Sequence, residues 1–289
     1  MTIKNVFVVG AGLMGSGIAQ VCAQVGLQVK IMDVDSAILG KSIENIAWSV
    51  GKLVEKGKLT ETKQVILDRI KISADFTEAA QSDMAIEAVF EQLDLKQEVF
   101  KELDSCCPPQ ALIASNTSAI PITELAAVTA RPQQVLGLHF FNPVALMQAV
   151  EVVKALQTSE ETMQVAGTFV KALGKSPVRV ESDVAGFLLN RINLVSYVEA
   201  IRLLEQGIGT VADIDRGIRL AFGRPMGPFE TGDMVGLDVS YGALSAIYEE
   251  SRDIRFCPPR LLQRKVKAEQ LGKKTGQGWY TYDQEGKKE

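Results

Sequence analysis

Residues 6–20 read VFVVGAGLMGSGIAQ, and the fold turns on how this stretch is taken. Four apolar residues of strand character run into a glycine-rich turn, and the turn runs into a segment with helical spacing. Gly10, Gly12 and Gly15 stand in G-x-G-x-x-G register. In that register the first glycine permits a tight turn, the second lets backbone approach a pyrophosphate, and the third lets a helix pack closely on its strand. The next strand-like run, VKIM near residue 29, leads to Asp33, eighteen residues after Gly15. A carboxylate at that point accepts from ribose hydroxyls and repels a 2′-phosphate. Val34, Asp35 and Ser36 supply no arginine to receive such a phosphate. Strand, turn, helix and acid together predict a dinucleotide site, with NAD favoured over NADP.

The same alternation continues down the chain, with MAIEAV near 84, ALIA near 111, VLGLHF near 135, and then VEVV and PVRV. Strand runs separated by helical patterns predict an α/β fold of Rossmann type, a mostly parallel sheet flanked by helices. Residues 36–69 are long, helical in composition and lysine-rich, and Gly57 divides them, so a helical insertion of two helices is expected near 36–70. After Gly186 the strand pattern stops. Helices are expected near 187–206, 211–222, 229–250 and 259–271, which predicts a dinucleotide-binding domain over 1–185 and a smaller all-helical domain over 186–289. The segment LGKKTGQGWY at 271–280 lacks the G-x-x-x-x-G-K-[ST] spacing of a phosphate loop, and reads as a turn with a closing aromatic contact. The last residues, DQEGKKE, read as a frayed polar terminus.

Bulk properties narrow the partners. A length of 289 residues exceeds the usual single core and points to two unequal domains, and 46% hydrophobic with 23% charged residues is the balance of a globular chain. A net charge of −4 gives no basic field for nucleic acid and no polybasic patch for a membrane, which leaves small molecules as partners. Cys22, Cys106, Cys107 and Cys257 show neither disulfide-scaffold density nor C-x-x-C spacing, so no metal site is expected and a reducing cytoplasm fits. The uncharged run 6–29 imitates a hydropathy signal, but Gln20, Gln24 and Gln28 recur every four residues within it, and strand character from Ile3 leaves no room for a signal peptide.

Residues 137–153, GLHFFNPVALMQAVEVV, hold the only histidine of the chain. An Asn-Pro turn between two apolar runs predicts antiparallel pairing, and a turn centred on Ala145 sets His139 opposite Glu151, each six residues from the centre. A carboxylate so placed accepts from one imidazole nitrogen and fixes the tautomer, leaving the other nitrogen to exchange a substrate proton. A lone strand histidine is commonly a packed residue; beside a dinucleotide motif it gains a task, because removing hydride from an alcohol needs a base for the hydroxyl proton. ALIASNTSAI places Asn116, Thr117 and Ser118 just past the carboxyl end of a strand, where open sheets bind ligands, so Ser118 is a candidate to meet the same oxygen. Asn190, in FLLNRINLV, is an amide among large apolar residues at the start of a helix, satisfied either by substrate or by an ordinary helix-end hydrogen bond.

Six segments, GAGLMGSGIAQ, SNTSAIPI, GLHFFNPV, GFLLNRI, RPMGPFE and GKKTGQGWY, spread over nearly the whole chain, resemble the 3-hydroxyacyl-CoA dehydrogenase family, particularly its bacterial 3-hydroxybutyryl-CoA dehydrogenases. The resemblance implies NAD-dependent interconversion of an L-3-hydroxyacyl-CoA and a 3-ketoacyl-CoA. It implies His139 as catalytic base or acid, Glu151 as its carboxylate partner, and Ser118 and Asn190 as substrate contacts. Gly10, Gly12, Leu13, Met14, Gly15, Asp33, Glu91, Lys96 and Asn116 fall on its cofactor side, with Glu91 and Lys96 near the nicotinamide ribose. Ser49, Lys52 and Lys56 match a helical arm that holds CoA, although lysines there also suit a solvated helix face. A homodimer is expected through the second domain, since helix 187–204 carries Leu188, Leu189, Ile192, Val195, Val198, Ile201 and Leu204 on several faces. Two other readings are an L-gulonate 3-dehydrogenase-like enzyme, similar in fold and dyad but oxidising a free sugar acid, from which the CoA arm would separate this chain, and a non-catalytic NAD-binding protein of the lens lambda-crystallin kind.

Overall fold

The computed structural model describes residues 2–289, which divide into two compact units between Asp183 and Val184. The first unit is built on eight strands: β1 (Asn5–Val9), β2 (Gln28–Met32), β3 (Ile70–Ser73), β4 (Met84–Glu87), β5 (Leu112–Ser115), β6 (Val135–Phe140), β7 (Ala149–Val153) and β8 (Ser176–Val180). They form one sheet in the order β3-β2-β1-β4-β5-β6-β7-β8. The first six are parallel; β7 turns back antiparallel to β6, and β8 runs parallel to β7. Every residue of β4, β5 and β6 is buried, as strands covered by helices on both faces require.

Six helices surround this sheet: α1 (Leu13–Gln24), α2 (Ser36–Glu55), α3 (Lys63–Leu67), α4 (Leu93–Cys106), α5 (Ile122–Ala126) and α6 (Glu160–Ala172). Asp35 caps α2 by accepting from the Ala37 N–H at 2.8 Å, and Ser159 caps α6 through the Thr162 N–H at 3.1 Å. The insertion is two helices, with Gly57 between them, but it is followed by a strand, β3, that the periodicity of IKIS does not announce. The chain leaves β1 toward β2 and β3 on one side and returns to β4 on the other, so the crevice between the carboxyl ends of β1 and β4 is the switch point of the sheet.

The second unit contains α7 (Leu189–Glu205), α8 (Val211–Phe222), α9 (Pro228–Val235), α10 (Leu237–Ser251) and α11 (Arg260–Lys267). The single helix expected over 229–250 is two helices, because Gly236 adopts a φ of +107° and ends α9 before α10 begins. Phe229, Tyr197 and Trp279 form its aromatic centre: the Phe229 and Trp279 rings lie 4.8 Å apart, and the indole N–H donates to the Tyr197 hydroxyl at 2.6 Å. Buried Asp233 accepts from the Trp279 and Tyr280 N–H groups and from the Tyr282 hydroxyl, which ties down the turn after residue 271. The terminus is not frayed as its polarity suggests. Tyr282 bridges to Lys288, and the Glu289 N–H donates to the Thr281 carbonyl at 3.1 Å. Among the described residues, no helix is long and apolar enough to cross a membrane.

Candidate active site

Each glycine of the first turn is required for a different reason. Gly10 has a φ of +98°, and a Cβ there would lie 2.6 Å from the Ala88 carbonyl oxygen at the end of β4. A Cβ on Gly15 would lie 1.8 Å from the Gly10 carbonyl oxygen, so that residue sets the contact of α1 with the turn. Gly12 is different: its φ of −66° suits any residue, and a Cβ there would have nothing within 4 Å. The open space beside Gly12 is the room a pyrophosphate needs, and α1 begins there with no side-chain cap, leaving its first N–H groups and its positive end to an anion. The geometry fits a bound dinucleotide. Leu13 is exposed, and Met14 packs against the core.

Asp33 accepts from the Ala11 N–H through Oδ2 at 2.7 Å and from the Asp35 N–H through Oδ1 at 3.1 Å. Its carboxylate therefore holds the glycine turn in place while retaining lone pairs for ribose hydroxyls. That first duty is not legible in the motif.

Across the sheet, β6 and β7 pair in the register that puts His139 opposite Glu151, as the turn spacing predicts. His139 Nδ1 lies 2.7 Å from Glu151 Oε2, with His139 only 7% exposed and Glu151 fully buried. A carboxylate accepts, so Nδ1 carries the hydrogen in this arrangement. The Phe141 ring packs on the imidazole at a centroid distance of 4.5 Å. Lys175, buried beside the connection from β6 to β7, donates to the Val144 and Met147 carbonyls at 2.6 and 2.7 Å. Burial lowers its pKa below the ordinary lysine value. A lysine just after a helix reads as a surface residue, and nothing in the sequence marks this one.

Past the ends of β4 and β5 lies a polar cluster. Lys96, 1% exposed, meets Glu87 Oε1 at 2.6 Å, Glu91 Oε2 at 3.2 Å and the Val89 carbonyl at 3.2 Å. Glu87 also accepts from the Ser115 hydroxyl at 2.6 Å, and Glu91 from the Thr117 hydroxyl at 2.5 Å and the Ser118 N–H at 3.0 Å. Burial pushes the Glu87 carboxyl above the ordinary carboxylate range against the pull of Lys96. Burial acts on Glu91 in the same sense, but Lys96, Thr117 and Ser118 outweigh it and hold that carboxyl below the ordinary range. Asn116 Oδ1 accepts from the Phe140 N–H at 2.9 Å and so ties the end of β5 to the end of β6, one residue beyond His139. Glu87, Ser115 and Lys175 make these contacts without having been singled out by motif.

The remaining sequence candidates belong to other elements. Ser49 and Lys52 sit on α2 and Lys56 caps its end, spaced to share one face; Lys52 and Lys56 are exposed, and Lys52 pairs with Glu55 at 2.8 Å. Asn190 is half-buried in the first turn of α7, in the second unit.

Comparison with known proteins gives the family. Residues 5–184 match the 3-hydroxyacyl-CoA dehydrogenase NAD binding domain, and residues 186–282 match the 3-hydroxyacyl-CoA dehydrogenase C-terminal domain. A probable 3-hydroxybutyryl-CoA dehydrogenase of Bacillus subtilis (strain 168) is 42% identical over 285 residues, covering 98% of this chain and 99% of that protein. The crystal structure of Mycobacterium tuberculosis FadB2 superposes with a TM-score of 0.94 at 41% identity, covering 98% of this chain and 100% of its own. That of (S)-3-hydroxybutyryl-CoA dehydrogenase PaaH1 from Ralstonia eutropha gives 0.93 at 41% identity with the same coverage. With both family domains matched in order along the chain, this protein belongs to the 3-hydroxyacyl-CoA dehydrogenase family of NAD-dependent oxidoreductases.

Proposed function

We propose that this protein interconverts L-3-hydroxybutyryl-CoA and acetoacetyl-CoA with NAD, using His139 and Glu151 as its proton-transfer pair. The observation that carries the reading is the 2.7 Å contact between His139 Nδ1 and Glu151 Oε2, in the sheet whose first turn has room for a dinucleotide. The four-carbon acyl group follows the names of the similar proteins. NAD, when bound, takes hydride from the hydroxyl-bearing carbon in oxidation and returns it in reduction. In oxidation His139 takes the hydroxyl proton through Nε2, and in reduction it gives the proton back. Glu151 keeps the imidazole in the right tautomer and offsets the positive charge that forms on it, a division of labour with a contribution of about 10²- to 10⁴-fold. The Ser118 hydroxyl donates to the same substrate oxygen, and Asn190 contributes its amide to the bound substrate.

The N–H groups at the start of α1 receive the pyrophosphate beside Gly12, and Asp33 receives ribose hydroxyls. Glu91 and Lys96 lie on the nicotinamide side, and Ser49, Lys52 and Lys56 hold the phosphates of CoA. The protein acts as a homodimer through its second unit. Leu220 and Phe222 of α8 are 80% and 71% exposed there, a larger apolar display than α7 offers, since α7 turns Leu194, Val198 and Ile201 into its own core. Four free thiols support a cytoplasmic location.

Rates of NADH oxidation with acetoacetyl-CoA, a longer 3-ketoacyl-CoA, free acetoacetate and L-gulonate with NAD test the reading. Preference for the four-carbon thioester supports it. Efficient turnover of L-gulonate, or none of any substrate, replaces it with the sugar-acid or the non-catalytic alternative.

A further inference from the structure

The polar cluster beyond β4 and β5 closes on itself. Ser115 donates to Glu87, Glu87 pairs with Lys96, Lys96 pairs with Glu91, Glu91 accepts from the Thr117 hydroxyl, and the Thr117 N–H donates back to the Ser115 oxygen at 3.0 Å. Every link of the ring but the last, which uses the Thr117 backbone N–H, joins two side chains, and Glu87, Lys96, Ser115 and Thr117 are all buried. Ser118 is fastened to this ring through its backbone alone. Glu91 Oε1 accepts from the Ser118 N–H at 3.0 Å and the Ala119 N–H at 3.1 Å, and Thr117 Oγ1 accepts from the Ala119 and Ile120 N–H groups at 3.3 and 3.0 Å. With three donors on it, Oε1 of Glu91 is saturated, since a carboxylate oxygen offers about two lone-pair sites. The main duty of Glu91 is therefore to the serine turn, and any ribose contact falls to Oε2.

We propose that Thr117 is a positioning residue for the reaction: its hydroxyl, clamped between Glu91 and the N–H groups of residues 119 and 120, sets the direction in which the 117–119 turn presents the Ser118 hydroxyl. This rests on the reading of Ser118 as a substrate contact. The clamp works because a hydroxyl donates and accepts at once. Valine has the shape of threonine but can do neither, so Thr117→Val strands the Ile120 N–H, leaves the Ala119 N–H to Glu91 alone and takes one of the three donors from Glu91 Oε1, whereas Thr117→Ser keeps all three links.

Wild type, Thr117→Val, Thr117→Ser, Ser118→Ala and the Thr117→Val/Ser118→Ala double variant are compared as full-length proteins. Steady-state kinetics with acetoacetyl-CoA at saturating NADH are paired with NADH binding followed by fluorescence. Thr117→Val lowers kcat/KM by about tenfold or more, Thr117→Ser restores it to within about threefold, and NADH affinity stays within about twofold of wild type. In the Ser118→Ala background the valine substitution adds nothing, because two residues that act through one contact are not additive. Wild-type kinetics in Thr117→Val, no rescue by serine, or a loss that multiplies with that of Ser118→Ala overturns the proposal. Wild-type turnover in Ser118→Ala removes the role of Ser118 and this inference together, which distinguishes the two failures. Should Thr117→Val not fold, Thr117→Ala in the same cycle with Ser118→Ala carries the test, and additivity there overturns it equally.

Discussion

Nδ1 of His139 lies 2.7 Å from Oε2 of Glu151, and the two residues face one another directly across the antiparallel strands β6 and β7. Directly opposed side chains in adjacent strands keep their separation through the hydrogen-bond ladder itself, so the pair is held by the sheet and not by the connection between the strands. Glu151 is completely buried, which makes its acceptance of the imidazole N–H the natural satisfaction of that carboxylate. The rest of the site can be read from this fixed point.

The glycine turn gives a contrast between binding and folding. Gly12→Ala adds a Cβ to open space at an ordinary φ, so its melting temperature should match wild type while NADH affinity falls by about tenfold or more as the methyl enters the pyrophosphate room. Gly15→Ala puts its Cβ 1.8 Å from a carbonyl oxygen and should destabilise the fold by about 1–3 kcal/mol or more. Thermal melts and NADH titrations of both variants check this; equal losses of stability in the two contradict it.

Asp33 has two duties that different substitutions separate. Asp33→Asn keeps an acceptor for the Ala11 N–H but loses the charge, so it should narrow the preference for NADH over NADPH with little change in stability. Asp33→Ala also strands that buried N–H, and should cost a further ~1–3 kcal/mol. The ratio of kcat/KM for the two nucleotides, with urea midpoints alongside, reads both effects. An unchanged ratio in Asp33→Asn counts against the ribose contact.

Replacing Lys52 and Lys56 together with alanine should raise KM for acetoacetyl-CoA by about tenfold or more. It should scarcely change a truncated pantetheine thioester, which lacks the nucleotide phosphates. The surface pair of Lys52 with Glu55 contributes little to stability, so the double variant should melt with wild type. Equal kinetic losses for both substrates would take these lysines out of the CoA site.

The pH dependence of stability carries the mark of Glu91. Its carboxyl is held below the ordinary range in the folded protein, so the stability it adds is complete above its unfolded value of about 4.3 and is lost as pH falls through the lowered folded value. Urea midpoints of wild type and Glu91→Gln should therefore differ by a constant amount near neutral pH and converge below about pH 4. A difference that grows on acidification contradicts the assignment.

The dinucleotide half of the site is legible in the sequence because its signal is local. An apolar run, three spaced glycines and an acid at the end of the next run lie within 33 residues, and each has a conformational reason to be there. The opposition of His139 and Glu151 is legible because strand register propagates from a turn. The strand β3 is hidden because it is four residues long at the edge of the sheet, with Lys71 and Ile72 exposed. The break at Gly236 is hidden because apolar spacing runs through it on both sides. The cluster of Glu87, Lys96, Glu91 and Thr117 joins residues up to thirty positions apart, and a lysine on a helix with charged neighbours gives no sign that its ammonium is buried. Pairing between distant polar side chains has no period to read.

The most direct measurement is the turnover of acetoacetyl-CoA with NADH by wild type and His139→Gln, with NADH affinity determined for both. The wild type should oxidise NADH in proportion to added thioester, and His139→Gln should lose ~10²- to 10⁴-fold in kcat while binding NADH as before. A His139→Gln enzyme that turns over within a few-fold of wild type contradicts the proton-transfer role on which the account depends.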